Sequence, residues 1–419
     1  MLTPNLHASR KTKKTILGEL PVEWSVRPLE ECAALERGKF AFRPRTDPRF
    51  YGGETPFVQT GDVSNARAWI HSYTQTLNEQ GLAISKVFPK GTILMAIAAN
   101  IGDCAILEFD SACPDSVIGI SPRDAMDNLF LYYQLTDQKE HLHYLAPAGA
   151  QKNLNLDLLR NLPICVPPYP EQKKISEILE TWDQAIERLE KLIAAKKQLK
   201  HGLMQQLLSG KKRFGDLTEH GWERMKICDF TRPAVRVVAK PTEPFKALGI
   251  RSHGKGTFIK RDFDPATIDM TELYVVRESD LIVKITFAWE GAIAIATAKD
   301  DGALVSHRFP TYEFLTDRVI PDYFRHVILQ RVFVLRLGLI SPGGAGRNRV
   351  LSKRDFAKLE LAIPSLPEQR RIADVLNGCD REIKLLQAEL NALQNQKKGL
   401  MQKLLTGKVR VTHLLTEWT

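Results

Sequence analysis

A segment of about forty residues occurs twice in this chain, and the pair of copies limits what the chain can fold into more than any other feature. From Pro170 the sequence reads PEQKKISEILETWDQAIERLEKLIAAKKQLKHGLMQQLLSGK, and from Pro367 it reads PEQRRIADVLNGCDREIKLLQAELNALQNQKKGLMQKLLTGK, a constant shift of 197 residues. The register continues upstream, where Val166 and Pro167 match Ile363 and Pro364, and Gly149 and Leu154 match Gly346 and Leu351. The repeated unit therefore includes a lead-in loop.

Each copy has the pattern of a long helix. Pro170 and Pro367 fit a first turn, and Glu171 and Glu368 sit where the helix dipole favours negative charge. Apolar residues follow at spacings of three and four: Ile175, Ile178, Leu179, Trp182, Ile186, Leu189, Leu192, Ile193, Leu199, Leu203 and Leu207, then Ile372, Val375, Leu376, Cys379, Ile383, Leu386, Leu390, Leu393, Leu400 and Leu404. Gly210 and Gly407 stand where stop residues belong. A helix of about 40 residues spans about 60 Å.

Roughly ten apolar side chains, at about 1.5–3 kcal/mol each, are not left in water. Each stripe is the natural partner of the other. With the order domain, helix, domain, helix, the second helix packs on the first only by running back. The expected fold is α+β: two mixed α/β domains joined by two long helices in an antiparallel coiled coil, with a pseudo-twofold internal repeat. The boundaries read as 1–165 for the first domain, 166–211 for the first helix, 212–362 for the second domain, and 363–419 for the second helix and tail. Expected seam residues are Ile175, Leu179, Trp182, Ile186, Leu189, Ile193 and Leu203 against Ile372, Leu376, Ile383, Leu386, Leu390, Leu393 and Leu400. GKKRFGDL after the first helix matches GKVRVTHL after the second, which predicts that the tail returns to the first domain. Gly202 and Gly399 share one repeat position inside the helices, where each costs about 1 kcal/mol relative to alanine. That coincidence points to close backbone approach or a bend.

The two domains match only at their edges and in patches. Gly18 and Trp24 open the first, Gly215 and Trp222 the second. KVFPKGTILMAIAANIGDCAI resembles LYVVRESDLIVKITFAWEGAIAI, a pattern of strand, glycine-containing turn and strand. Basic and amide side chains gather in the turn-rich parts: Arg37, Lys39, Arg43, Arg45, Gln59, Asn100, Gln151, Lys152 and Asn153 in the first domain, and Arg251, His253, Lys255, Lys284, Arg347, Asn348 and Arg349 in the second. Arg and Lys suit guanine edges and phosphates, and Asn and Gln can bond adenine bidentately, so these residues form the candidate DNA-contact set. The GAQKN and GRNR loops occupy matching places in the two copies.

Catalytic chemistry is missing. Pro167, Pro168 and Tyr169 superficially resemble an amino-methyltransferase turn, but Val166 stands where the polar residue would be. There is no GxxxxGK[ST] loop, and His141 and His143 lack carboxylate or cysteine neighbours for a metal. The six cysteines form no CxxC pair, which suits reduced thiols in a cytosol. No stretch approaches about 18 apolar residues, so a soluble cytoplasmic protein without a membrane partner is expected. The 59 basic and 49 acidic residues leave a formal charge of +10, which favours an anionic partner without choosing one.

With IPSLPEQRRI, VPPYPEQKKI and the paired GLMQQLLSGK and GLMQKLLTGK, the chain resembles the specificity subunits of Type I restriction-modification systems over nearly its whole length. The resemblance implies two target recognition domains, each reading one half of a bipartite double-stranded DNA target, with the helices setting the spacing. It implies that methyltransferase subunits, and through them restriction and translocase subunits, are the partners. Those partners would supply the S-adenosylmethionine, ATP and magnesium sites, so the chain is expected to be non-catalytic and to bind no cofactor or metal. Two other readings stand beside it: a coiled-coil scaffold binding other proteins, and a self-sufficient methyltransferase.

Overall fold

The two apolar stripes do fold as single uninterrupted helices. In a computed structural model, which describes residues 11–145, 154–218, 221–343 and 349–415, they run over Tyr169–Leu207 (39 residues) and Leu366–Leu405 (40 residues). Beyond each helix a glycine takes the left-handed conformation, Gly210 at φ +71° and Gly407 at φ +65°, where a Cβ would be penalised.

The chain divides into two units, one of Met1–Leu189 with Glu389–Thr419 and one of Glu190–Ala388. Each unit holds the start of one helix and the end of the other. In the first unit Lys397 bonds Asp183 at 2.5 Å. In the second, Lys196 pairs with Glu382 at 2.6 Å and Lys200 with Asp380 at 2.5 Å. In the second unit one residue number rises while the other falls, and in the first Ile175 and Leu179 share a core cluster with Leu404 and Leu405 while Asp183 meets Lys397, so the helices run antiparallel within each unit.

The first unit carries a five-stranded sheet in the order Ala33–Arg37, Val117–Pro122, Ile93–Ala96, Cys104–Leu107, Trp69–Ile70, and a four-stranded sheet in the order Gln75–Leu77, Tyr51–Phe57, Ser111–Cys113, Lys86–Phe88. A two-stranded ribbon pairs Pro163–Val166, immediately before the helix, antiparallel with Ser25–Pro28. The second unit repeats this plan. Its sheets run Thr231–Pro233, Thr311–Phe314, Leu281–Val283, Ile293–Ile295, and Val237–Ala239, Glu272–Val275, Leu304–Val305, Phe245–Ile250, Thr257–Phe263. Its ribbon pairs Glu223–Lys226 with Glu360–Ile363. The strand–turn–strand patterns form antiparallel pairs, with Cys104 opposite Met95 in one unit and Leu281 opposite Ile295 in the other.

The helix starts are built into the domain cores. Ile175 and Leu179 lie in the cluster that holds Trp24, Ile118, Phe130 and Tyr133, together with Leu404 and Leu405 from the second helix. Ile372 and Leu376 lie with Phe230, Phe324 and Phe356, together with Leu207 from the end of the first helix and Leu208 just beyond it. Beyond these ends the stripe thins. In the first unit Ile186, Leu189 and Leu390 are buried, while Trp182, Leu393 and Leu400 are half-buried. In the second, Ile193 is buried and Leu203, Ile383 and Leu386 are half-buried. Leu192 and Leu199 are 43% and 53% exposed, so they lie off the seam.

The expectation of close backbone approach at the paired glycines fails. A Cβ built on Gly202 or on Gly399 meets no atom within 4 Å. Both positions face open space.

Candidate nucleic-acid interface

The RGKFAFRPR loop leaves the strand Ala33–Arg37 and folds onto the turn at Pro114–Ser116. Only glycine fits at position 38, where a Cβ would stand 2.2 Å from the Pro114 carbonyl oxygen. Three of the candidate guanidinium groups then converge on one residue. Arg37 Nε donates to the Asp115 carbonyl at 2.7 Å, Arg43 bonds the Asp115 carboxylate at 2.8 Å, and Arg45 bonds its other oxygen. Arg43 also donates to the carbonyls of Phe40 and Phe42 at 2.6 and 2.9 Å. One carboxylate facing two guanidiniums leaves positive charge on a loop that still meets solvent, and Lys39 beside it is exposed. The loop is thus a preformed cationic surface, with its donors held in place by internal bonds.

Gln59 and Asn100 meet at the short helix Thr60–Asn65. Gln59 is its N-cap residue and donates to Gln75 Oε1 at 2.7 Å, while Asn100 donates to Ser64 Oγ on its last turn at 2.8 Å. Ala99, just before Asn100, is held at φ +62°. Gln151, Lys152 and Asn153 lie outside the described residues. Leu154, the next residue described, donates to the Ile97 carbonyl at 3.1 Å, so the chain rejoins the turn that carries Asn100.

In the second unit the candidates gather round the turn Phe287–Gly291. The His253 amide donates to the Glu290 carbonyl at 2.7 Å, and Ser252 Oγ bonds the Glu290 carboxylate at 2.7 Å. His253, at φ +60°, and Lys255 are exposed. Lys284 Nζ lies 4.5 Å from the Phe287 ring centroid. Arg349 stands over Trp289 at 5.3 Å and donates to the carbonyls of Gly338 and Ser341 at 2.7 and 3.1 Å. Arg251 is an edge member: it stacks on Phe258 at 4.8 Å and donates to the Thr257 carbonyl at 3.1 Å. Arg347 and Asn348 lie outside the described residues. Leu351, soon after them, donates to the Ile285 carbonyl at 2.9 Å, as Leu154 does to Ile97. Equivalent turns therefore carry different side chains in the two units.

Among the described residues no group of three or more His, Cys, Asp or Glu is placed to hold a metal, and no helix is long and apolar enough to cross a membrane. Burial pushes the Cys32 thiol up to about 11 and the Cys165 thiol up to about 12, so neither is a thiolate nucleophile near neutral pH.

The profile of the Type I restriction modification DNA specificity domain matches twice, over residues 21–197 and 220–395. The chain belongs to the Type I restriction-modification specificity subunits. It is 24% identical over 428 residues to a protein of Methanocaldococcus jannaschii named as the type I restriction enzyme MjaX specificity subunit, covering 95% of this chain and 96% of that one. To the MjaVIII specificity subunit of the same organism it is 24% identical over 308 residues, covering 69% and 72%. Its fold is that of the Mycoplasma genitalium S subunit, at a TM-score of 0.58 and 16% identity over 91% of this chain and 96% of that one. A chain solved in work on complex assembly of the type I system matches at a TM-score of 0.55 and 14% identity, over 93% and 99%.

In this specificity subunit the duplicated PEQ motif makes buried contacts that its sequence pattern alone did not show. Glu171 and Glu368 are 1% and 0% exposed. Glu171 accepts from Trp24 Nε1 at 3.0 Å and from Arg410 Nε and Nη2 at 2.7 and 3.0 Å. Glu368 accepts from Trp222 Nε1 at 3.1 Å and from Arg213 Nε and Nη2 at 2.9 and 2.8 Å. These bonds raise the pKa of each arginine above its ordinary value, so both stay cationic. Next to the glutamates, Gln172 donates to Pro167 and Ala125 carbonyls and accepts from the Asp127 amide, and Gln369 donates to Pro364 and Arg318 carbonyls and accepts from the Ile320 amide. The signal was available: Arg213 and Arg410 share the same 197-residue shift as the glutamates.

Proposed function

We propose that this chain reads a bipartite double-stranded DNA target, one half per domain, and directs methyltransferase and restriction subunits to it without chemistry of its own. One observation carries the reading. The two units repeat one backbone plan, yet the turns that gather their polar side chains present Gln59, Ser64 and Asn100 in one and His253, Lys284 and Arg349 in the other. A shared frame with different polar groups is what two modules need to read different sequences. The assigned domains are 1–165 and 212–362. The helices, with the spans 166–211 and 363–419, hold the gap between the half-sites and offer the surface for methyltransferase subunits. Arg37, Lys39, Arg43 and Arg45 supply backbone contacts, and the two turns, with the GAQKN and GRNR loops, supply the base contacts. S-adenosylmethionine, ATP and magnesium are assigned to the partner subunits, and the complex works in the cytoplasm.

The test is competition binding of the chain with its methyltransferase subunits to duplexes of known sequence across a salt series. Preference for one bipartite sequence, with affinity falling steeply as salt rises, is the expected result, because phosphate contacts release counterions. Binding indifferent to sequence at every salt concentration refutes the reading, and binding of proteins without DNA selects the scaffold instead.

A further inference from the structure

We infer that Arg410 and Arg213 are positioning residues, each fixing the pose of one recognition domain on its helix start, so that each governs discrimination at one half of the target. The inference rests on the DNA-reading function proposed above and adds the parts that hold each reader in place.

Each arginine joins three segments that are remote in sequence. In the first unit these are the residue just before the ribbon strand Ser25–Pro28 (Trp24), the first turn of the first helix (Glu171) and the stretch after the second helix (Arg410). In the second unit they are Trp222, Glu368 and the stretch after the first helix (Arg213). Both carboxylate oxygens are used in each case, and the planar guanidinium fork matches them two by two. The indoles seal the joint: a Cβ on Gly407 would stand 2.5 Å from the Pro21 ring and 3.4 Å from Trp24, and one on Gly210 would stand 3.5 Å from Trp222. The neighbouring glutamines then tie the same helix turn to the residue that precedes a domain helix, Asp127 or Ile320. Losing the cation leaves a buried carboxylate that must protonate or admit water, and the three segments part. Hydrogen bonds to base edges weaken beyond about 3.2 Å, so a small rotation of the domain is enough to blur its reading.

The experiment uses the full chain with its methyltransferase subunits and the duplex that the complex modifies, found by mapping methylated bases. Arg410→Gln and Arg213→Gln are compared with Arg410→Lys and Arg213→Lys, and discrimination is measured against duplexes with one half scrambled. Arg410→Gln is expected to lower discrimination at one half about tenfold, the size of one lost bidentate base contact, and to leave the other half within about twofold. Arg213→Gln is expected to do the reverse, and the lysine variants to recover part of the loss because they keep the charge without the fork. The indole N–H resonances of Trp24 and Trp222 give a readout that needs no DNA: each is expected to shift only in the variant of its own unit. Equal loss at both halves in either variant overturns the inference, as do shifted indoles with unchanged discrimination. If the parent complex shows no sequence preference, the DNA reading falls, and indole shifts in both units at once still sink the separateness of the two joints.

Discussion

The two units solve one mechanical problem with nearly the same parts, and one exchanged part is instructive. Six residues after the amide bonded by the PEQ glutamine, the first unit has Tyr133 and the second has His326. Tyr133 donates its hydroxyl to Asp183 at 2.8 Å, and Lys397 both bonds that aspartate and lies 5.1 Å from the tyrosine ring. In the second unit Lys200 and Asp380 keep the equivalent ion pair, but His326 bonds Asn377 Oδ1 at 2.9 Å instead. His326 is 1% exposed, and its Nδ1 is buried without a hydrogen-bond partner. Burial pushes its pKa below the ordinary 6.5; the Asn377 bond raises it, Lys200 and Arg325 lower it, and Asp380 raises it. The frame is duplicated, but in the second unit this joint carries a buried imidazole whose pKa lies below its ordinary value.

The comparison can be broken most forcefully in the cores. Leu179 and Leu376 are repeat partners, both fully buried. Truncating either to alanine is expected to cost about 3 kcal/mol, by lost transfer energy and a cavity. Hydrogen exchange should report the loss in the unit that holds the residue, and equal loss of protection in both units would end the view of two separable cores.

Acid separates the units next. A histidine whose folded pKa is depressed binds its proton more readily when unfolded, so stability rises with pH. The contribution of His326 is complete above about pH 6.5 and is lost as the pH falls toward the depressed native value. Melting between pH 5 and 8 is expected to show the second unit weakening first on acidification, and His326→Phe should remove that slope. A parent and a His326→Phe variant with the same pH profile would show that the joint does not titrate. The smallest effect belongs to Lys196 and Glu382, 31% and 47% exposed. Lys196→Ala should cost less than about 0.5 kcal/mol and should vanish in high salt, as measured by denaturant midpoint.

Periodicity made the helices legible. The spacing of Ile175, Leu179 and Ile186 placed the first helix from Pro170, and it begins at Tyr169. The paired Gly202 and Gly399 did not give close backbone approach, because a shared repeat position says nothing about what lies across from it. At the candidate interface, side-chain chemistry was legible and side-chain partners were not. Arg37, Arg43 and Arg45 looked like free cations until the fold brought Asp115 to them from some seventy residues away. Glu171 read only as a partner of the helix dipole, and its burial comes with Arg410, 239 residues later. Local patterns carry local structure; an ion pair that closes a long loop shows only as a shared repeat position, as Arg213 and Arg410 share the 197-residue shift of the glutamates.

The core of the first unit contains Leu404, Leu405 and Val411, whereas the second unit is drawn from Glu190–Ala388. A ribosome making this chain therefore starts the first unit before the second and completes it after. Throughout that delay the apolar surface meant for Leu404 and Leu405 is open on the nascent chain. Slow translation or early termination beyond residue 388 harms the half that was begun first, and that half is the one with the greater call on chaperones.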